Sequence, residues 1–182
     1  PQAVVDKMLD MAKVTKDDFV MDLGSGDGRT VITAAKRGAR AMGIEYNPDM
    51  VELSKKNAEA AGVTARATFM KADLFETDLS KATVITMFLL PAINLKLRPK
   101  LLELKPGTRI VSHDWDMGDW KPDRTVTVDV PDKPIGLEKR SRLHLWIVPA
   151  QIEGRWCGRA GAASRWRRRY LTGRCTLGQY SP

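Results

Sequence analysis

Val20-Met21-Asp22-Leu23-Gly24-Ser25-Gly26-Asp27-Gly28-Arg29 is the stretch on which the reading of this chain turns. A short apolar run, Phe19 to Leu23, meets three glycines at every second position, and a helical pattern begins near Arg29. A strand that turns through glycines into a helix N-terminus lets a ligand lie against bare backbone, where unpaired N–H groups await an acceptor. The stretch predicts a nucleotide-type cradle. A dinucleotide fingerprint needs Gly-x-Gly-x-x-Gly/Ala, and its third small position is Arg29 here. A P-loop closes on Gly-Lys-Ser/Thr, whereas Gly28 is followed by Arg29-Thr30. What remains is Asp-x-Gly-x-Gly-x-Gly, opening on Asp22.

Outward from this loop, the pattern alternates between strand and helix. Val4, Val5, Met8, Leu9 and Ala12 form an apolar stripe of helical period over residues 2–13. After the loop, Val31, Ile32, Ala34 and Ala35 continue a helix that Gly38 stops. Ala41 to Glu45 reads as a buried parallel strand. Glu45 closes it, where a carboxylate accepts both ribose hydroxyls of an adenosine. Asn47-Pro48-Asp49 then supplies an N-cap, an N1 proline and a first-turn acid for a helix ending at Gly62. Ala67 to Ala72 is a third strand, and Asp73-Leu74 follows its carboxyl end, placing Asp73 to accept from an adenine amino group. Ligands of open α/β sheets bind beyond the carboxyl ends of the strands, so Asp22, Glu45 and Asp73 are expected to converge.

Ala82 to Phe88 is read as strand four, delivering Leu89-Leu90-Pro91 to the same edge. The crossover over 92–105 is expected to be interrupted at Pro99, which starts a helical turn but does not continue one. Arg109 to His113 is strand five, after the Lys105-Pro106-Gly107 turn. Two further strands, at 126–130 and 143–148, have no room for a helix between them and must pair antiparallel.

The 182 residues suit one domain, expected at 1–150, with a small appendage at 151–182. No apolar run approaches the ~18 residues of a membrane span. The net charge is +8, yet residues 155–182 hold seven arginines and no Lys, Asp or Glu, which leaves +1 for residues 1–154. A nucleic-acid partner is therefore not expected, despite the cluster Trp166-Arg167-Arg168-Arg169-Tyr170. The tail is expected to be poorly ordered, because like charges with few aliphatics do not repay ordering entropy. Both cysteines, Cys157 and Cys175, lie in it without a Cys-x-x-Cys spacing, so no metal site is expected. The cysteine-free body fits a reducing compartment, and a cytoplasmic location is expected. The chain opens at Pro1 rather than at a methionine, which is compatible with a leader upstream in the full protein.

Asp-x-Gly-x-Gly-x-Gly resembles motif I of class I S-adenosylmethionine (SAM) methyltransferases, whose cofactor has no phosphate. More narrowly, the chain is similar to the small lysine methyltransferases of the ATP synthase c subunit and the adenine nucleotide translocase, and to their prokaryotic relatives. The resemblance covers about residues 2–148. It rests on Leu23 to Arg29 with Ala34-Ala35-Lys36, Gly43-Ile44-Glu45-Tyr46-Asn47-Pro48, Asp73-Leu74, Phe88 with Pro91, and Trp120-Lys121-Pro122-Asp123. It implies a Rossmann-like α/β fold: a mostly parallel seven-stranded sheet, helices on both faces and an antiparallel C-terminal strand pair. SAM contacts are implied for Asp22, Gly24, Ser25, Gly26, Asp27, Gly28, Glu45, Tyr46, Asn47, Asp73 and Leu74. Relatives carry a Tyr-x-Pro segment just before the position of Pro1, and the mitochondrial members carry a membrane anchor; this chain shows neither.

The acceptor is expected to be a protein lysine amine, with small-molecule N- or O-methylation as the alternative and, in a different class, an Arg-rich nucleic-acid-binding protein on an α/β scaffold. The Asp/Asn-Pro-Pro-Tyr/Phe motif of amide and ring-nitrogen methylators is missing after strand four. In its place, Phe88, Pro91, His113, Asp114, Trp115, Asp116, Asp119 and Trp120 offer carboxylates and aromatic faces for a cationic side chain. His113 is expected to be structural, His144 a strand residue facing solvent, and Trp146 core.

Overall fold

The computed structural model describes residues 1–131 and 139–150. The expected tail, 151–182, with its cysteines and arginine cluster, lies outside the described residues, as does the connection 132–138. In chain order the elements are α1 (Gln2–Met11), β1 (Phe19–Leu23), α2 (Arg29–Lys36), β2 (Arg40–Glu45), α3 (Pro48–Ala60), β3 (Ala67–Lys71), β4 (Val84–Met87), α4 (Pro91–Leu102), β5 (Arg109–His113), β6 (Arg124–Asp129) and β7 (Arg140–Ile147). The strands make one sheet in the order β3-β2-β1-β4-β5-β7-β6. The first five run parallel, and β7 pairs antiparallel with both β5 and β6. The order reverses between β1 and β4, and that switch point is where the glycine loop emerges.

Strand parity divides the core in two. Val20, Ala41, Val84, Val111, Leu143 and Leu145 pack with the apolar faces of α1, α2 and α3. Met21, Leu23, Ile44, Ile85, Met87, Ile110 and Trp146 pack on the other face with Leu97 and Leu101 of α4. Successive strand side chains point to opposite faces, so Asp22 and His113 turn toward the α1 side and Ser112 toward the α4 side. Trp146 is fully buried, as expected.

The crossover differs from expectation. α4 is one helix from Pro91 to Leu102, with Pro91 in its first turn and Pro99 inside it. Pro99 is exposed, so the carbonyl it leaves unpaired faces water, while burial of Leu97 and Leu101 beneath holds the helix together.

Gly28 marks the joint between loop and helix. It N-caps α2 at φ 82°, and a Cβ there would stand 2.7 Å from both the Phe69 ring and Ser54 Cβ. It closes the packing of α2 against β3 and α3. Gly28→Ala should therefore cost about 2–4 kcal/mol, combining left-handed strain with overpacking; urea unfolding would measure the loss.

Candidate active site

The backbone amides of the loop are already engaged. Gly24 N and Ser25 N both donate to Ile44 O, at 2.9 and 3.1 Å, and Gly28 N donates to Ser25 O at 2.9 Å. Gly26 N donates to Glu45 Oε2 at 2.9 Å. The expected row of waiting N–H groups is thus corrected: these four amides are paired within the protein, and the loop offers shape rather than an anion hole. That suits a ligand without phosphate.

A cavity of about 320 Å³ opens above the loop. Asp22, Gly24, Ser25, Gly26 and Asp27 form its base, Met87, Phe88 and His113 one wall, and Val4, Val5 and Met8 of α1 another. Gly26 has φ 53°, and a Cβ on it would find only Met50 Cε at 3.9 Å, so its bare face is open for a close approach. Ser25 Oγ is buried without a partner among the described residues. It fits beside β2 because Gly43 has no side chain: a Cβ there would lie 2.5 Å from Ser25 Oγ.

Asp22 supplies the charge of the site. It is buried, accepts from Thr86 Oγ1 at 2.6 Å, and has Thr30 as a second side-chain partner. Desolvation pushes its carboxyl up to about 7, against the hydrogen bonds of Thr86 and Thr30, with Asp27 and Glu45 adding repulsion. A buried carboxylate that is costly alone favours a cationic ligand, and SAM carries a sulfonium and an ammonium. Bare glycine faces, a paired loop and one poorly solvated acid fit that cofactor.

The other expected cofactor residues lie along the same sheet edge. Glu45 ends β2 and braces the loop: its Oε2 accepts from Gly26 N, and its Oε1 from Tyr46 N at 2.9 Å and Asn47 N at 3.0 Å. Asn47 caps α3 through Asp49 N, and the Tyr46 side chain is exposed. Asp73 follows β3 and is exposed, its Oδ1 accepting from Phe75 N at 2.8 Å, while Leu74 packs on the α4-side core. Glu45, Tyr46, Asn47, Asp73 and Leu74 do not line the cavity, and neither does Gly28, whose bare face serves packing.

Of the residues expected on the acceptor side, the structure brings Phe88 and His113 together. Their rings stack with centroids 4.2 Å apart, and Phe88 remains 57% exposed. His113 Nε2 lies 2.8 Å from Ser141 Oγ and 3.4 Å from Asp114 Oδ2, which fixes the ring. Trp115 stands exposed on the next loop, and Pro91 is exposed at the head of α4. Two expectations are corrected. Trp120 is not on the rim: it is 4% exposed, and its carbonyl accepts from Trp146 Nε1 at 2.8 Å, because the Trp120-Lys121-Pro122 turn folds back over the α4-side core. The carboxylates are not a free docking ring either. Asp119 pairs with Arg98, Asp114 Oδ1 accepts from Arg142 N at 2.8 Å, and Asp116 Oδ1 accepts from Gly118 N at 3.0 Å.

Thr30, Thr86, Gly43, Ser141 and the α1 wall are site residues that sequence reasoning missed. Thr86 had a signal, a hydroxyl inside a wholly buried strand in register with Asp22. Which cavity α1 would face had none.

Sheet order, phosphate-free cradle and buried acid together define the class, a SAM-dependent methyltransferase of the Rossmann-like kind. Residues 22–124 match the model of the ANTKMT methyltransferase domain, and the chain belongs to that family. It is 49% identical over 132 residues to a protein-lysine N-methyltransferase of Saccharolobus islandicus, covering 71% of this chain and 82% of the relative. It is 39% identical over 108 residues to the mouse lysine N-methyltransferase of the ATP synthase c subunit, covering 59% of this chain and 44% of that one. The chain thus spans most of the archaeal relative but under half of the mouse one. Among solved structures, an RNA methyltransferase from Salinibacter ruber in complex with S-adenosyl-L-homocysteine superposes with a TM-score of 0.76 at 49% identity, covering 84% of this chain and 94% of that chain.

Asp22 makes stability and cofactor binding oppose each other. Its folded value of about 7 lies above 3.8, so the folded state holds a proton that the unfolded chain has released between those values. Stability is therefore lost as pH rises through that window. Asp22→Asn should stabilise the cofactor-free protein by on the order of 2–4 kcal/mol above pH 7, fading toward pH 4. The same variant should weaken SAM binding at least tenfold; urea unfolding at pH 5 and 8, with calorimetric titration of SAM, checks both.

Proposed function

We propose that the chain methylates the ε-amine of lysine in a protein. The observation that carries the reading is the Phe88 face, held against His113 at the cavity mouth and more than half exposed. An alkyl chain reaching toward the glycine loop would pass over it. The kinship to protein-lysine N-methyltransferases, above all the archaeal one, supports it.

Bound in the cavity, SAM would supply a methyl group made electrophilic by its sulfonium. The chemistry so supplied would be an in-line displacement, in which the acceptor nitrogen would take the methyl group from sulfur and release a proton. Alignment of the amine on the methyl carbon matters more for such a displacement than a strong acid or base. A lysine amine with an ordinary pKa near ~10.4 must still arrive neutral. Val4, Val5, Met8, Met87 and Phe88 provide apolar walls, and desolvation lowers an amine's pKa. Phe88 also presents a ring face over which an ammonium is attracted before it loses its proton.

The Glu45 carboxylate, at the end of β2, remains our choice for the ribose hydroxyls, and Asp73, at the end of β3, for the adenine amine. A cytoplasmic setting belongs to the same reading, on the ground that residues 1–156 contain no cysteine. The likeness to an RNA methyltransferase raises RNA as a second acceptor. Phosphate contacts dominate RNA binding, and the one guanidinium among the described residues lining the cavity, Arg29, is paired with Asp27. That pairing favours the protein acceptor.

Incubation with methyl-labelled SAM and a host-cell extract should put acid-stable label on protein as methyl-lysine. Label confined to RNA or small molecules would refute the assignment. Phe88→Ala should cut transfer to protein at least tenfold with SAM affinity within twofold of the parent. Gly26→Val and Glu45→Ala should do the reverse, each weakening SAM binding at least tenfold.

A further inference from the structure

Asn94 lies outside the cofactor cavity, fully buried near the start of α4. Its Nδ2 is 3.2 Å from Asp116 O, 3.3 Å from Trp115 O and 3.3 Å from Ser112 Oγ. Ser112 Oγ in turn donates to Trp115 O at 2.6 Å. Asn94 Oδ1 is buried with no partner among the described residues. Turning the amide over would set oxygen against two carbonyls, so the surroundings dictate its orientation. A buried acceptor left unpaired lowers stability. Stability therefore does not account for an asparagine here; its donors do.

Those donors meet a sharp reversal of the chain. Asp114 sits at φ 62°, a left-handed conformation that aspartate tolerates. Trp115 N folds back to His113 O at 2.8 Å, and Asp114 N reaches Arg142 O at 2.6 Å. The carbonyls of Trp115 and Asp116 then point toward α4. We propose that Asn94 is a positioning residue for the methyl acceptor: its amide holds the 113–117 turn, which carries His113 behind Phe88 and holds Trp115 exposed two residues further on. This rests on the acceptor entering beside Phe88, as proposed above.

The test compares Asn94→Asp with Asn94→Ala. Aspartate keeps the volume but turns acceptors toward two carbonyls, whereas alanine leaves only a hole. If donors matter, aspartate is the worse variant; if Asn94 merely fills space, alanine is. In Asn94→Asp, amide hydrogen exchange of residues 113–117 should quicken at least tenfold, and labelled transfer to extract protein should fall at least tenfold. SAM affinity by calorimetry should stay within twofold. Parent-like exchange, alanine worse than aspartate, or SAM affinity falling in step would overturn the proposal. Should Asn94→Asp not fold, Ser112→Ala removes one strut of the same node and should show a smaller version of the same pattern, while a parent-like result would overturn it. A parent enzyme that labels no protein would count against the lysine reading, while exchange in the variants still decides the role of Asn94.

Discussion

Ile44 offers its carbonyl to two successive amides of the glycine loop, and the Glu45 carboxylate takes a third. The loop is thereby sewn to the end of β2 by the protein's own groups. Other features follow from that constraint. Ser25 must tuck against β2, which requires Gly43 to lack a side chain. Gly28 must close on Phe69 and Ser54, which starts α2 against β3 and α3. Glu45 must also meet the amides of Tyr46 and Asn47, which fixes the entry to α3. A phosphate-binding loop keeps its amides free for the anion. Here they are consumed, and selectivity passes to the shape of the cavity and to Asp22.

Asp22 shows how that selectivity is held in reserve. Its pleat direction turns the carboxylate toward α1 and α2, under the loop and away from bulk water. Thr86 on the neighbouring strand and Thr30 on α2 stabilise the charge but do not match the desolvation that opposes it. The fold by itself thus favours the protonated carboxyl up to about pH 7, and a cation in the cavity would favour the charged form. A conflict of this kind belongs at a binding site.

The fold was legible because its signals were local and agreed with one another. Alternating apolar strands, glycine stops and the Asn47-Pro48 cap each named an element, and their order implied the sheet. Pro99 misled because burial of Leu97 and Leu101 outweighs one missing hydrogen bond on an exposed face. The site was half legible. Residues at strand ends, from Asp22 to His113, could be placed by topology alone. Trp120 could not, since an aromatic residue in a loop reads alike whether it turns to solvent or folds over the core. The acidic loop misled for a similar reason: Asp119 follows Asp116 in sequence, but its partner Arg98 is on α4 and becomes visible only in three dimensions.

The two halves proposed for the site draw differently on the faces of the sheet. The cofactor half, Asp22 with the glycine loop, depends on the α1, α2 and α3 side, where Thr30 and the walls of α1 stand. The acceptor half depends on both sides at once. His113 turns to the α1 face and backs Phe88 there, while its neighbour Ser112 turns to the α4 face and meets Asn94. One step along β5 thus joins the two cores, because successive side chains of a strand take opposite faces. On the role proposed for Asn94, changes on α4 would shift the 113–117 turn, and His113 with it, without touching the glycine loop on the other strands.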